Sequence, residues 1–126
     1  MGVRYLVDTH VLLWWFGGQP LSKQAAEILR EAAVDTLVSV ASIWEMSIKQ
    51  GQGRLELPPE LGEAITSDGF DVLPIQWAHA RRVSQLPDHH ADPFDRMLVA
   101  QALVEDCTII SRDRRVLQYD VPSVQA

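Results

Sequence analysis

Short apolar runs rich in β-branched residues alternate along this chain with segments whose apolar positions recur at helical spacing. Val3 to Val7 is a nearly continuous apolar run that reads as a strand buried on both faces, ended by Asp8. Thr9 to Phe16 reads as a short helix closed by Gly17-Gly18, and Leu21-Ser22 opens a second helix with Ala25, Ala26, Ile28, Leu29 and Ala32 on one face. Thr36 to Val40 is a second buried strand. Ile43, Trp44, Met46 and Ile48 then carry helical spacing up to Gly51, and Leu55 to Pro59 makes a turn. Glu60 to Ser67 follows as a helix, Phe70 to Leu73 as a third strand, Trp77 to Leu86 as a further helix and Asp88 to Pro93 as a polar loop. Phe94 to Val104 is apolar on most sides, as expected of a helix packed on both flanks, and Thr108 to Ile110 is a fourth strand. Short strands alternating with longer helices predict βαβ units: an α/β fold, one domain over residues 1–126, with a mainly parallel central sheet flanked by helices on both faces.

Composition adds limits to that picture. At 126 residues with 47% hydrophobic positions and only 7 Gly and 7 Pro, the chain suits one compact domain with a real core. The single cysteine, Cys107, has no intrachain partner and sits beside a predicted buried strand, which favours a reducing cytoplasm. The first apolar run is broken by Asp8 and His10 before it reaches signal-peptide length, and no stretch is long enough for a membrane helix, so a soluble protein without membrane contact is expected. A net charge of −6 argues against a protein that coats nucleic acid through a broad positive field. Arg81, Arg82, Arg96, Arg112, Arg114 and Arg115 nevertheless cluster late in the chain and leave room for a local basic patch.

In a parallel α/β sheet, ligands sit outside the carboxyl ends of the strands, near the point where strand order reverses. Acids fall there repeatedly. Asp8 follows the first strand, Glu45 lies one turn into the helix after the second, Asp113 lies three residues past Ile110, and Asp92-Pro93-Phe94-Asp95 opens the most apolar helix. Each has a bland reading: Asp8 as a helix cap, Ser42 with Glu45 as a capping box, Asp92 as N-cap with Pro93 at N1 and Asp95 at N3, Asp113 as a loop acid. Capping accounts for each acid separately, yet it does not predict that all of them fall on one edge of the sheet. Carboxylates gathered there repel unless a cation neutralises them, which points to a divalent metal. Oxygen-only ligation selects Mg²⁺ or Mn²⁺, and no Cys pair or His-Glu-x-x-His helix is present for zinc.

Three segments carry a resemblance: Val7-Asp8-Thr9-His10-Val11-Leu12-Leu13-Trp14-Trp15, Ala41-Ser42-Ile43-Trp44-Glu45-Met46-Ser47-Ile48-Lys49, and His90-Ala91-Asp92-Pro93-Phe94-Asp95-Arg96-Met97-Leu98-Val99-Ala100-Gln101-Ala102. In this order and spacing they resemble the PIN-domain family in its VapC-type toxin branch, over essentially the whole chain. The resemblance implies a single PIN-like domain and a metal-dependent endoribonuclease, a hydrolase of phosphodiester bonds that is the toxin of a toxin–antitoxin pair. It further implies Asp8, Glu45, Asp95 and Asp113 as the catalytic and metal-ligating set, Asp92 as an accessory, an RNA substrate, a cognate antitoxin and a homodimer. The alternative is a binding or regulatory protein on the same fold that has lost catalysis and keeps its acids as caps.

Neighbouring polar residues remain open to two readings. Thr9 suits a metal water or substrate phosphate as well as a backbone bond. Lys49, one turn after Glu45, permits an ordinary helix ion pair or a phosphate contact. For Arg96 a carboxylate partner, a phosphate and plain solvation all fit, and Arg112, Arg114 and Arg115 suit either a grip on phosphate or a bridge back to the acids. His10, His79, His89 and His90 read as structural or solvated, since none has a histidine partner one turn away. Trp14, Trp15, Trp44 and Trp77 read as core or interface residues before stacking platforms.

Overall fold

A computed structural model describes residues 2–31 and 34–126; Ala32, placed on the apolar face of the second helix from sequence, lies outside the described residues. Five strands, β1 (Arg4–Val7), β2 (Asp35–Ser39), β3 (Asp71–Leu73), β4 (Thr108–Ser111) and β5 (Ser123–Gln125), form one sheet in the order β3-β2-β1-β4-β5. Every pairing is parallel. The helices are α1 (Thr9–Phe16), α2 (Lys23–Arg30), α3 (Val40–Gly51), α4 (Leu61–Ser67), α5 (Trp77–Val83), α6 (Pro93–Glu105) and α7 (Arg114–Leu117).

The central strands carry apolar residues on both faces because each face meets a different core. Leu6, Leu37 and Ile109 join Leu98, Val99, Ala102 and Val116 on the α6 and α7 side. Their neighbours Val7, Val38 and Ile110 join Val11, Leu12, Leu29, Met46 and Ile65 on the side of α1 to α4. Strand order reverses between β1 and β4, so the carboxyl ends of those two strands open the crevice the topology reserves for ligands. Asp8 N donates to Ile110 O at 3.0 Å and draws the two strand ends together.

Several boundaries differ from the expectation. Val40, read as the end of β2, is the first residue of α3; Ser39 caps that helix, its hydroxyl accepting from Ala41 N at 2.9 Å. This overturns the capping box assigned to Ser42 and Glu45, both of which lie inside the helix. The other expected caps are present: Asp8 accepts from His10 N, and Asp92 accepts from Phe94 N and Asp95 N with Pro93 at the first helical position. α5 ends at Val83 rather than Leu86. β5 and α7 have no counterpart in the sequence reading: β5 is a three-residue edge strand with only Val124 buried, and α7 is a single turn. Cys107 is buried just ahead of β4. Among the described residues no helix is long and apolar enough to cross a membrane.

Candidate active site

Asp8, Glu45 and Asp95 are buried, and Asp113 is partly covered at the rim. Asp8 is placed by the end of β1 and held at both oxygens: Oδ1 accepts from His10 N at 2.8 Å, and Oδ2 from the Ser111 hydroxyl at the end of β4 at 3.0 Å. The same Ser111 oxygen accepts from Asp113 N at 3.1 Å, so one hydroxyl ties Asp8 to the segment that carries Asp113. Asp95 lies in the first turn of α6 behind its Asp92 cap. Burial, followed by the charges of Asp8, Asp92, Asp113 and Glu45, pushes its carboxyl up to about 7. The sequence-predicted acids therefore stand within electrostatic reach of one another.

Two of those acids already have cationic partners. Lys49 Nζ lies 2.9 Å from Glu45 Oε2, the ordinary one-turn ion pair that the spacing permitted. Arg115 grips Asp113, with Nε 3.3 Å from Oδ1 and Nη2 3.2 Å from Oδ2. Burial raises the Asp113 carboxyl, but the hydrogen bonds from Arg115 outweigh it and hold the group below the usual carboxylate range. The second oxygen of Glu45, Oε1, is buried without a hydrogen-bond partner. A buried carboxylate oxygen with no donor is costly and suits a cation, as does an all-oxygen cluster in which Asp95 resists ionisation. Among the described residues no three His, Cys, Asp or Glu side chains are already drawn together as ligands of one ion.

Other expected contacts go elsewhere. Thr9, weighed between phosphate and backbone, donates to the Ser42 hydroxyl at 2.8 Å and joins the starts of α1 and α3. Arg112 does not face the acids: strand alternation after Ser111 sends it to the α1 side, where its guanidinium lies 4.3 Å from the Trp14 ring centroid and bonds Pro20 O and Ala126 O. Arg96 meets neither a carboxylate nor solvent as its main partner. One position past Asp95, it turns under the preceding loop and donates to the carbonyls of Val83, Leu86, Pro87 and His90 and to the Tyr119 hydroxyl. It staples that loop in place.

Two site residues, His90 and Tyr119, escaped the sequence reading. His90, for which structural and solvated roles were both open, is half-buried with its ring turned inward, Nε2 3.4 Å from Asp95 Oδ2 and Nδ1 2.9 Å from the Tyr119 hydroxyl. Burial first, then the nearby Arg115, holds its imidazole below its usual value and hence neutral near pH 7. Tyr119 gave no signal, because its role depends on where the turn after α7 brings it. His10 is half-exposed at the rim, its basicity raised by the Asp8 carboxylate 3.7 Å away. His79 is fully buried on α5, 2.7 Å from Glu105 at the end of α6, and serves the packing of α5 on α6.

Residues 5–122 match the model of the PIN domain. Ribonuclease VapC22 of Mycobacterium tuberculosis is 27% identical over 124 residues, spanning 93% of this chain and 92% of its own. VapBC2 from Rickettsia felis, solved bound to a DNA fragment from its promoter, shares the fold with a TM-score of 0.74 at 11% identity over 98% of both chains. A toxin–antitoxin complex from Klebsiella pneumoniae does so with a TM-score of 0.66 at 21% identity over 95% of both. The family model spans nearly the whole chain, and its acids collect where the strand order reverses; the chain belongs to the PIN-domain family.

Proposed function

We propose that this chain is a metal-dependent endoribonuclease, the toxin of a toxin–antitoxin pair, working in the cytoplasm with Mg²⁺ or Mn²⁺. The observation that carries the reading is Asp95, a buried carboxyl pushed up to about 7 with four other acids acting on it. A divalent cation relieves such a cluster, and the partnerless Glu45 Oε1 offers it a further donor. Asp8 and Asp95 are the principal ligands in this reading, with Glu45 and Asp113 ligating directly or through water. When bound, the ion lowers the pKa of water towards neutrality and stabilises charge on the phosphoryl oxygens. Asp8 enters with its carboxylate orientation set by His10 N and Ser111, whereas Asp95 has to release a proton and Lys49 and Arg115 have to yield part of their hold. The ribonuclease name of the VapC22 relative supports RNA as the substrate, and the complexes among the fold relatives support a protein antitoxin.

The test is cleavage of RNA by purified protein with Mg²⁺ or Mn²⁺, with and without chelator, for wild type, Asp8→Asn and Asp95→Asn. Metal-dependent cleavage that both substitutions reduce on the order of 100-fold or more, with circular dichroism unchanged, is expected. Equal cleavage by wild type and variants overturns the assignment.

A homodimer belongs to the same proposal. Trp44 is 57% exposed beside a groove lined by Ala41, Ile75, Val83, Phe94 and Met97, an apolar surface suited to a second copy. Sedimentation of wild type as a dimer and of Trp44→Glu as a monomer is expected; a monomeric wild type removes this part.

The cation pairs on Glu45 and Asp113 favour a second reading, a catalytically inactive PIN-fold binding or regulatory protein whose acids are neutralised from within. Calorimetric titration with Mn²⁺ separates the two, since only the enzyme reading requires saturable binding that Asp8→Asn and Asp95→Asn weaken.

A further inference from the structure

The loop between α5 and α6 brings to Asp95 a hydrogen-bond chain whose direction is fixed by donor and acceptor counting. Arg96 has only donors, and its Nη1 lies 3.0 Å from the Tyr119 oxygen. A phenol has one proton to give, and the other partner of Tyr119 is His90 Nδ1 at 2.9 Å. If Nδ1 carried a proton, two donors would converge on one buried phenol oxygen and the phenol proton would have no acceptor there. Nδ1 therefore accepts, and the ring proton resides on Nε2, which points at Asp95 Oδ2 at 3.4 Å. That distance is at the long end of hydrogen bonding.

We propose that Arg96, Tyr119 and His90 form a positioning device that locks His90 in its Nε2–H tautomer and aims that N–H at Asp95 Oδ2, so that Asp95 offers Oδ1 to a divalent cation. His90 and Tyr119 are positioning residues, since they act through Asp95. Arg96 serves the device twice: it polarises the phenol, and its bonds to Val83, Leu86, Pro87 and His90 carbonyls hold the loop that carries His90 over the carboxylate. Ligand carboxylates are commonly oriented by such outer hydrogen bonds, and losing one typically weakens metal affinity 10–100-fold. The cation part rests on the metal reading given above; the tautomer part does not.

The experiment uses the full chain labelled with ¹⁵N. A two-bond proton–nitrogen correlation spectrum at neutral pH distinguishes the imidazole tautomers. His90 is expected wholly as Nε2–H in wild type and as a mixture in Tyr119→Phe, which keeps the ring and loses the hydroxyl. An Nδ1–H or averaged His90 in wild type overturns the proposal. Mn²⁺ titrations then follow. His90→Gln, whose amide nitrogen stands near the place of Nε2, is expected within a few-fold of wild type. The shorter His90→Asn is expected to lose about tenfold or more, as does His90→Ala. Melting curves show that the variants are folded, and a packing role would rank Asn and Gln alike. Asn and Ala variants that bind Mn²⁺ as tightly as wild type overturn the role at Asp95. If wild type itself takes up no Mn²⁺, the metal reading and the cation role fall together, and the spectrum still decides the tautomer.

Discussion

The Ser111 hydroxyl donates to Asp8 Oδ2 at 3.0 Å, joining the carboxyl ends of β4 and β1 at the point where strand order reverses. Both residues are buried, so the bond is shielded from water, and Ser111 also receives the Asp113 N–H. Ser111→Ala is expected to cost about 1–3 kcal/mol, because it strands a buried carboxylate oxygen and a backbone donor at once. Urea unfolding checks the stability. A change below about 0.5 kcal/mol would show that the bond contributes nothing net.

Asp95 makes stability depend on pH in an unusual direction. Its folded carboxyl titrates at about 7 against an ordinary value of 3.8. Between those values the native state holds more protons than the unfolded state, so the unfolding free energy falls as pH rises. The metal-free protein is expected to lose up to about 1.4 kcal/mol per pH unit from this group between about pH 4 and 7. Asp95→Asn removes that slope and stabilises the metal-free protein at pH 7. Parallel stability profiles for the two proteins would rule out the raised carboxyl. Mn²⁺ affinity should rise over the same interval as the competing proton leaves.

Arg96 is a structural staple for the α5–α6 loop. Its planar fork bonds four carbonyls and a hydroxyl, a pattern that the point charge of lysine does not reproduce. Arg96→Lys is expected to lower stability by about 2–3 kcal/mol, measured by thermal or urea unfolding. A residue that only contacted phosphate would leave stability unchanged.

The Lys49–Glu45 pair is expected to compete with metal. Lys49→Gln should cost less than about 1 kcal/mol of stability, since a one-turn helix pair contributes a few tenths. It should also tighten Mn²⁺ binding by freeing Glu45 Oε2. Weaker Mn²⁺ binding in this variant would contradict competition and assign Lys49 a supporting role at the site.

The layered α/β architecture was legible in the chain because buried parallel strands leave nearly continuous apolar runs, as in Val3 to Val7 and Thr108 to Ile110, and α6 leaves one helix that is apolar on most sides. Asp8 and Asp92 were legible too, since each caps a helix with a local signature, whereas Asp113, read as a loop acid, caps the one-turn α7. Local patterns say nothing about direction in space. Arg96 and Arg112 were indistinguishable from phosphate ligands until helix position turned one under a loop and strand alternation sent the other to Trp14. β5 was invisible because an edge strand with one buried side chain has no apolar run to read. The partnership of His90 with Tyr119 and Asp95 spans segments that only the packing of α7 against α6 brings together. The sequence by itself determined which residue types stand at the ends of strands, and tertiary structure decided which of them face one another, because that depends on strand order and side-chain direction across distant parts of the chain.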